Sequence, residues 1–258
     1  MEVEVDKVVR QAVEIVGKAS NIPMSFFRAP LDLEAKDDDS PVTVADRKTE
    51  AFIRAELAAA FPGDGIFGEE YGTENLDAEA IWVLDPIDGT RSFITGNPLF
   101  GMLLGRYVNR KPQLGIVRMP ALDETYVGAA GHGATCNGSP IRCRGTQRLS
   151  EAMVYINETE RLLADDPARF ARLCKAGHTR RMAYDCYPHA LAASGQIDAV
   201  IDFGLEPYDF LPLVALVEAA GGIMCDWNGN PLDLNSDGRV ITAATPELRD
   251  ELLDLLGA

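Results

Sequence analysis

The sequence of 258 residues is poor in positive charge: 24 Lys and Arg stand against 40 Asp and Glu, a formal net charge of −16. Such a balance provides no basic footprint for a phosphate backbone, so we expect no nucleic-acid partner. Apolar runs near the roughly 18 residues of a membrane span are absent, as is a basic segment typical of a signal peptide at the N-terminus. We therefore expect a cytoplasmic protein without a membrane partner.

Cysteine is scarce and shows no pairing pattern. The five cysteines are scattered and form no Cys-x-x-Cys pair, so neither a disulfide framework nor a zinc site is indicated and we expect reduced thiols. What the chain does contain is an ordinary globular composition, 47% hydrophobic and 25% charged. Its length suits one large domain or two closely joined halves.

The first half of the chain predicts helices followed by an antiparallel sheet. Apolar residues at helical spacing predict an amphipathic helix over 3–20, and a second helix should run from near Asp46 to the stop signal at 61–63. The charged segment 34–40 between them predicts a mobile loop. Short apolar runs separated by Gly, Pro and Asn predict strands over 65–68, 81–84, 100–108, 113–118 and 125–129.

The second half alternates between helical and strand patterns. Helices are predicted over 167–176, 185–194, 208–220 and 246–256, and strands over 179–183, 197–202 and 239–243. This alternation is typical of α/β structure. We expect two halves, residues 1–150 and 151–258, joined along layered sheets and helices into one integrated unit.

The most informative string, Trp-Val-Leu-Asp-Pro-Ile-Asp-Gly-Thr, covers residues 82–90. An apolar strand leads there into Asp85 and Asp88, three residues apart. Mg²⁺ prefers oxygen ligands in octahedral geometry, which two such aspartates and a freed carbonyl, for example that of Ile87, can supply. Gly89 and Thr90 would present N–H groups to a phosphate at a helix start. The alternative is a simple Asx turn after a strand.

Two further acidic groups are candidates for the same site. Glu69 and Glu70 follow the short apolar run at 65–67, and a surface salt-bridge patch is the alternative explanation for them. Asp209 lies at the beginning of the predicted helix 208–220, where a helix cap is the alternative. The three acidic groups together favour a metal site more strongly than any one of them does.

Four motifs carry a resemblance to a known family. They are Pro41-Val42-Thr43-Val44-Ala45-Asp46, Gly68-Glu69-Glu70, Asp85-Pro86-Ile87-Asp88-Gly89-Thr90, and Tyr208-Asp209 leading into Ala219-Ala220-Gly221-Gly222. With them the chain resembles, over nearly its whole length, the inositol-monophosphatase superfamily of Mg²⁺-dependent, lithium-sensitive phosphatases. The resemblance implies an α+β fold, a layered α/β/α/β sandwich of the inositol monophosphatase and fructose-1,6-bisphosphatase type, and a homodimer.

The resemblance also implies roles for the site residues. Two or three Mg²⁺ ions would be held by Glu69, Asp85, the Ile87 carbonyl, Asp88 and Asp209. Asp46, Glu69 and Thr90 would be catalytic, with Asp46 and Thr90 positioning the water, and Gly89 with Thr90 would bind phosphate. The implied reaction is direct hydrolysis of a phosphate monoester by metal-activated water. Lys36 aligns with a lysine of the family's mobile lobe, with a solvated surface charge as the alternative.

Within the superfamily, three stretches resemble the histidinol-phosphatase branch. They are residues 85–96, 184–187 and 204–210. By alignment, Asp185, Asp202 and Glu206 would surround the alcohol part of the substrate, where an acidic rim would complement the cationic end of L-histidinol phosphate. Structural alternatives are a helix cap for Asp185 and a strand-end turn for Asp202. His132, His178 and His189 show no metal-ligand spacing and receive no role.

Other functions stay open at this point. Inositol 1-phosphate, nucleotide 3′-phosphates and sugar phosphates are alternative substrates for the same chemistry. A haloacid-dehalogenase-type phosphatase is disfavoured, because two residues separate Asp85 from Asp88 where that family has one. A regulatory binding module that keeps only the fold is the non-enzyme alternative, and it predicts damage to a ligand set that is complete here.

Overall fold

A computed structural model describes residues 2–29, 33–35 and 41–257 of the chain. Within these ranges, short strands at 33–35 and 41–43 pair antiparallel, so the first residues of the loop expected over 34–40 belong to a strand instead. Lys36, with the rest of that predicted loop, lies outside the described residues.

The described helices are α1 (Glu2–Ala19), α2 (Asn21–Phe26), α3 (Val44–Ala60), α4 (Thr90–Ile94), α5 (Thr159–Asp165), α6 (Pro167–Leu173), α7 (Tyr187–Ala193), α8 (Pro207–Ala219) and α9 (Pro246–Leu256). The described strands are β1 (Leu33–Ala35), β2 (Pro41–Thr43), β3 (Gly65–Gly68), β4 (Gly72–Glu74), β5 (Ala80–Asp88), β6 (Gly101–Val108), β7 (Lys111–Met119), β8 (Glu124–Ala129), β9 (Gly133–Cys136), β10 (Ser139–Ile141), β11 (Met153–Ile156), β12 (Thr179–Met182), β13 (Ala199–Phe203), β14 (Ile223–Asp226) and β15 (Arg239–Ala243).

All the described strands except β1 and β2 belong to two large sheets. The first has eight strands in the order β10-β9-β8-β7-β6-β5-β3-β4, and its pairs are antiparallel except for the parallel pair of β3 and β5. The second has five strands in the order β12-β11-β13-β15-β14. In it β11 pairs parallel with both neighbours, whereas β15 runs antiparallel to β13 and β14.

Helices cover both faces of each sheet. Apolar residues of α1 and α3, such as Ile15 and Ile53, pack with Trp82 on one face of the eight-stranded sheet. The other face packs against α8 and α7 in a core that also includes Met224 and Val240 of the five-stranded sheet. A separate core joins the outer face of that second sheet to α5, α6 and α9. The layered α+β sandwich is therefore confirmed, with α5, α6 and α9 as an additional outer layer.

A row of three glycines lets α8 lie directly on the eight-stranded sheet. Gly105, Gly115 and Gly128 are register partners on β6, β7 and β8. A Cβ at Gly115 would overlap the carbonyl oxygen of Pro212 in α8, and one at Gly128 would lie 2.5 Å from the Cα of Leu216. The depth of α8, and with it the position of its first turn, is therefore set by the absence of side chains on the sheet.

Most of the predicted elements are confirmed. The long amphipathic helices and the strands with continuous apolar runs match within a few residues, and the helices that begin at Pro207 and Pro246 match as well. The pattern missed a set of short elements: α2, α5, β1, β2, β4, β9, β10, β11 and β14. The division into halves at residue 150 stays a prediction, although no described strand of either large sheet crosses it.

Candidate active site

Residues 82–90 include the end of β5, which extends beyond its apolar run as far as Asp88. Pairing with β6 is interrupted after Asp85 and resumes at Asp88, so the segment between them bulges out of the ladder. The backbone N–H of Ile87 donates to Asp85 Oδ1 at 2.8 Å. This is the Asx turn that we considered as the alternative, and it also directs both aspartates to the same edge of the sheet.

Two more aspartates reach the site from the first turns of helices. Asp209, the third residue of α8, accepts the backbone N–H of Glu206 at 2.8 Å in a capping box. Asp46 caps α3 in the same way and accepts the N–H of Thr43 at 2.9 Å. Each carboxylate is thus both a helix cap and a member of the site, because a capping box fixes the direction of its side chain.

Three of these carboxylates form a cluster that could hold a metal ion. Oxygen atoms of Asp85, Asp88 and Asp209 lie within 4.8 Å of one another. Burial raises the pKa of Asp88 to about 7, and the nearby charges of Asp202 and Glu69 add to it. Burial together with acidic neighbours also raises the pKa values of Asp85 and Asp209 well above their ordinary range.

The cause of these shifts indicates what the cluster could bind. Apart from burial, the interactions that raise the pKa of Asp85 come from Glu69, Asp209 and Asp88, all of them acidic. Like charges this close disfavour ionisation unless a cation lies among them. The donor set consists of hard oxygens, the ligands that Mg²⁺ prefers. The residues present therefore fit a divalent cation.

Glu69 is held near the cluster by a turn that a buried glutamate organises. Glu50 of α3, fully buried, accepts the backbone N–H groups of Glu70 at 2.7 Å and Tyr71 at 3.1 Å. Arg54, one helical turn further on, pairs with Glu50 at 2.8 Å. Sequence reasoning missed Glu50, because a Glu and an Arg four residues apart usually indicate a solvent-exposed helical pair.

The turn expected to bind phosphate begins α4. Gly89 has a φ of +88°, a left-handed conformation that favours glycine. The hydroxyl of Thr90 lies 3.3 Å from the carbonyl oxygen of Ile87 and 3.4 Å from Asp46 Oδ1. Burial raises the pKa of Asp46. Asp46 and Thr90, which are predicted to position the water, therefore lie next to this turn.

Asp185 joins the site from the second half of the chain. A Cβ at Gly89 would lie 2.6 Å from the Cγ of Asp185, and Ser92 donates to Asp185 Oδ2 at 2.7 Å. Burial and the charge of Asp88 raise the pKa of Asp185 to about 8. Cys186 occupies the cap position of α7, so Asp185 is not the helix cap that we considered as the alternative to a substrate role. Its φ is +62°.

Asp202 and Glu206 are placed less favourably for contact with a substrate. Asp202 is buried, and its oxygens accept from His189 at 2.9 Å, Asn157 at 2.6 Å and its own following N–H at 2.8 Å. These donors belong to the chain and leave Asp202 without the open position expected of a substrate ligand. Glu206 is exposed and precedes α8. The substrate roles of both residues stay predictions.

Comparison with known proteins identifies the family. The family model described as the inositol monophosphatase family matches residues 4–257. The chain belongs to the inositol monophosphatase family. A histidinol-phosphatase from Chlorobaculum parvum is 39% identical over 233 residues, which cover 89% of each protein. The chloroplastic bifunctional phosphatase IMPL2 of Arabidopsis thaliana is 37% identical over 230 residues, 88% of this chain and 66% of the plant protein.

A solved structure has the same fold as this chain. An inositol monophosphatase from Zymomonas mobilis is 38% identical to it and superposes with a TM-score of 0.89, covering 98% of both chains. Membership of the family gives the coarse activity, that of a metal-dependent phosphomonoesterase of the inositol monophosphatase family.

None of the described helices is both long and apolar enough for a membrane span. The cytoplasmic location, the homodimer and lithium sensitivity stay predictions.

Proposed function

We propose that this protein is a Mg²⁺-dependent phosphatase that hydrolyses L-histidinol phosphate to L-histidinol and phosphate. The carrying observation is the position of Asp185: its carboxyl group lies against Gly89, at the turn that we assign to phosphate. A phosphate ester bound there would have an acidic group beside its alcohol part. The names of the relatives from Chlorobaculum parvum and Arabidopsis thaliana support a phosphatase of this type.

We assign the metal site to a set of oxygen ligands: Glu69, Asp85, the Ile87 carbonyl, Asp88 and Asp209. When bound there, Mg²⁺ neutralises charge on the phosphate and the leaving alkoxide and lowers the pKa of water. The chain's own residues do the positioning. Asp46 accepts hydrogen bonds from Thr43 and Thr90, so this group can orient water beside the phosphate, and Gly89 and Thr90 offer backbone N–H groups to phosphate oxygens.

The charge of Asp185 favours a cationic substrate over a neutral one. At neutral pH, L-histidinol phosphate carries an ammonium group near its phosphorylated carbon. A cation bound beside Asp185 would favour the carboxylate form of a group whose pKa burial has raised to about 8. A neutral polyol gives no such charge compensation.

Inositol 1-phosphate is the second candidate. The similarity to the Zymomonas mobilis structure, described as an inositol monophosphatase, favours it. Its ring hydroxyls could donate hydrogen bonds to Asp185, but the gain from an ion pair would be missing. The two substrates therefore differ in how strongly they depend on the charge at this position.

The experiment compares the kcat/KM values of L-histidinol phosphate and myo-inositol 1-phosphate with Mg²⁺, in the parent protein and in Asp185→Asn. We expect the parent to prefer histidinol phosphate by about 100-fold, or about 2.7 kcal/mol. We expect Asp185→Asn to reduce that preference to within tenfold while inositol phosphate hydrolysis changes little. Asp237→Asn, an exposed aspartate remote in sequence from the site motifs, is the matched control. Equal rates for both esters in the parent would contradict the proposal.

A further inference from the structure

A chain of buried polar groups lies behind the acidic cluster, on the side of the five-stranded sheet. His189 and Thr242 have no exposed surface, and Asn157 and Asp202 are 1% exposed. The His189 ring contacts Thr242 Oγ1 through Nδ1 at 2.8 Å and Asp202 Oδ2 through Nε2 at 2.9 Å. Asn157 Nδ2 donates to the same Asp202 oxygen at 2.6 Å. Nothing in the assigned site uses these four side chains.

This series of hydrogen bonds reaches the acidic cluster through one peptide group, the one between Asp185 and Cys186. Asn157 Nδ2 also donates to the carbonyl oxygen of Asp185 at 3.0 Å. The N–H of Cys186, which belongs to that same peptide, donates to Asp88 Oδ2. In a trans peptide the C=O and N–H groups point in opposite directions. Asn157 and Asp88 therefore hold opposite sides of one peptide plane.

The conformation of this peptide needs such support. Asp185 has a φ of +62°, a left-handed backbone that costs a residue other than glycine free energy and persists where the surroundings determine it. Ser92 fixes the side chain of Asp185, and Asn157 fixes its carbonyl. Without Asn157, the peptide could rotate and withdraw its N–H from Asp88.

Each side chain in this series of hydrogen bonds is oriented by the next one. Asp202 receives hydrogen bonds at both oxygens, one of them from the N–H of Phe203, so its carboxylate cannot rotate freely. Asn157 must direct its amide nitrogen towards Asp202, because a carboxylate only accepts. In a buried environment such linked hydrogen bonds strengthen one another. The orientation set at His189 is thereby passed to the peptide beside Asp88.

We propose that Asn157, Asp202 and His189 are positioning residues that orient the Asp88 carboxylate for Mg²⁺ through the peptide between Asp185 and Cys186. This inference rests on the metal site assigned under the proposed function. It gives Asp202 an internal role in place of contact with the substrate. It also gives a reason for the positive φ of Asp185, because the peptide that follows this residue contacts Asp88.

The test measures Mg²⁺ binding by calorimetry in the full-length protein, so that no turnover is needed. Asn157→Leu keeps the size of the side chain and removes the donor to both Asp185 and Asp202. We expect Mg²⁺ to bind about 10- to 100-fold more weakly, the usual effect of removing an outer hydrogen-bond partner of a metal ligand. The kcat for p-nitrophenyl phosphate at saturating Mg²⁺ should fall by a smaller factor.

Leu252→Ala is the control for a general loss of stability. Leu252 is buried in the separate core between α9 and the five-stranded sheet. This change should lower the melting temperature and leave the Mg²⁺ dissociation constant within twofold of the parent. A folded Asn157→Leu protein that also stays within twofold would overturn the inference. A parent protein that binds no Mg²⁺ would instead refute the assigned metal site.

A second pair of variants decides the matter if Asn157→Leu does not fold. His189→Gln retains a nitrogen donor that can reach Asp202, whereas His189→Leu has none. We expect the Gln variant to bind Mg²⁺ at least fivefold more tightly than the Leu variant. Equal affinities in the two folded proteins would contradict an orientation passed along the chain.

Discussion

The cluster of Asp85, Asp88 and Asp209 and the carboxylate of Asp202 lie close together in this molecule and differ in their partners. Asp85, Asp88 and Asp209 are within 4.8 Å of one another, and acidic neighbours contribute to their raised pKa values. Asp202 is buried, as Asp85 and Asp88 are, yet it accepts hydrogen bonds from His189, Asn157 and the backbone. A cation would relieve the repulsion within the cluster, whereas the carboxylate of Asp202 is satisfied by donors of the protein itself. Burial alone therefore does not distinguish a ligand site from a structural network; the partners of the carboxylates do.

The largest effect is expected from changing the acidic cluster. Asp88→Asn removes one proposed metal ligand and retains its shape, so we expect the Mg²⁺-dependent kcat/KM to fall at least about 1,000-fold, about 4.1 kcal/mol. Phosphate release from p-nitrophenyl phosphate with Mg²⁺ is the measurement, and circular dichroism checks that the protein is folded. A folded variant with an undiminished rate would refute the assignment.

The same chemical change at Asp202, in the network of buried hydrogen bonds, should act on stability. In the parent, His189, Asn157 and the backbone all donate to the carboxylate of Asp202. Asp202→Asn therefore places an N–H₂ donor against at least one of these donors. We expect the free energy of unfolding to fall by about 2 kcal/mol, measured by urea denaturation without added metal. An Asp202→Asn protein as stable as the parent would show that the three hydrogen bonds to Asp202 do not stabilise the protein as described.

A smaller effect is expected at the turn that carries Glu69. Glu50→Gln removes the charge that holds the N–H groups of Glu70 and Tyr71, so we expect Mg²⁺ to bind about fivefold more weakly, about 1 kcal/mol. Glu56→Gln makes the same change on the same helix at a side chain that is 39% exposed. Calorimetry should find the control within experimental error of the parent. A Glu50→Gln affinity equal to that of the control would separate Glu50 from the metal site.

The sequence predicts the acidic cluster well because its geometry is local. Asp85 and Asp88 lie in one bulged strand end, and Asp46 and Asp209 are caps within the first turns of α3 and α8. A strand end and a helix start can both be recognised from a few neighbouring residues. Their convergence on one site required the family resemblance, because spacing along the chain does not show which element ends meet.

The hydrogen-bonded network around Asp202 could not be predicted in the same way. Asn157 directly follows β11, and the other members lie in α7, β13 and β15. Only the pairing of these strands, with α7 packed on them, brings the side chains together. His189 lies in a helix of small apolar residues, where a lone histidine gives no sign of a partner. Asp202 could not be recognised as internally paired, because an aspartate at a strand end is equally typical of a turn.

Thermal unfolding of the parent and of Asp88→Asn, each in EDTA and in excess Mg²⁺, tests the central claim most directly. If the cluster is an incomplete site with unrelieved repulsion, the variant should melt at the same or a higher temperature than the parent in EDTA, because one of the repelling charges is gone. In Mg²⁺ the order should reverse, since the parent gains about 2.7 kcal/mol at 100 times its dissociation constant. A variant that melts lower than the parent by the same amount in both conditions would contradict the account.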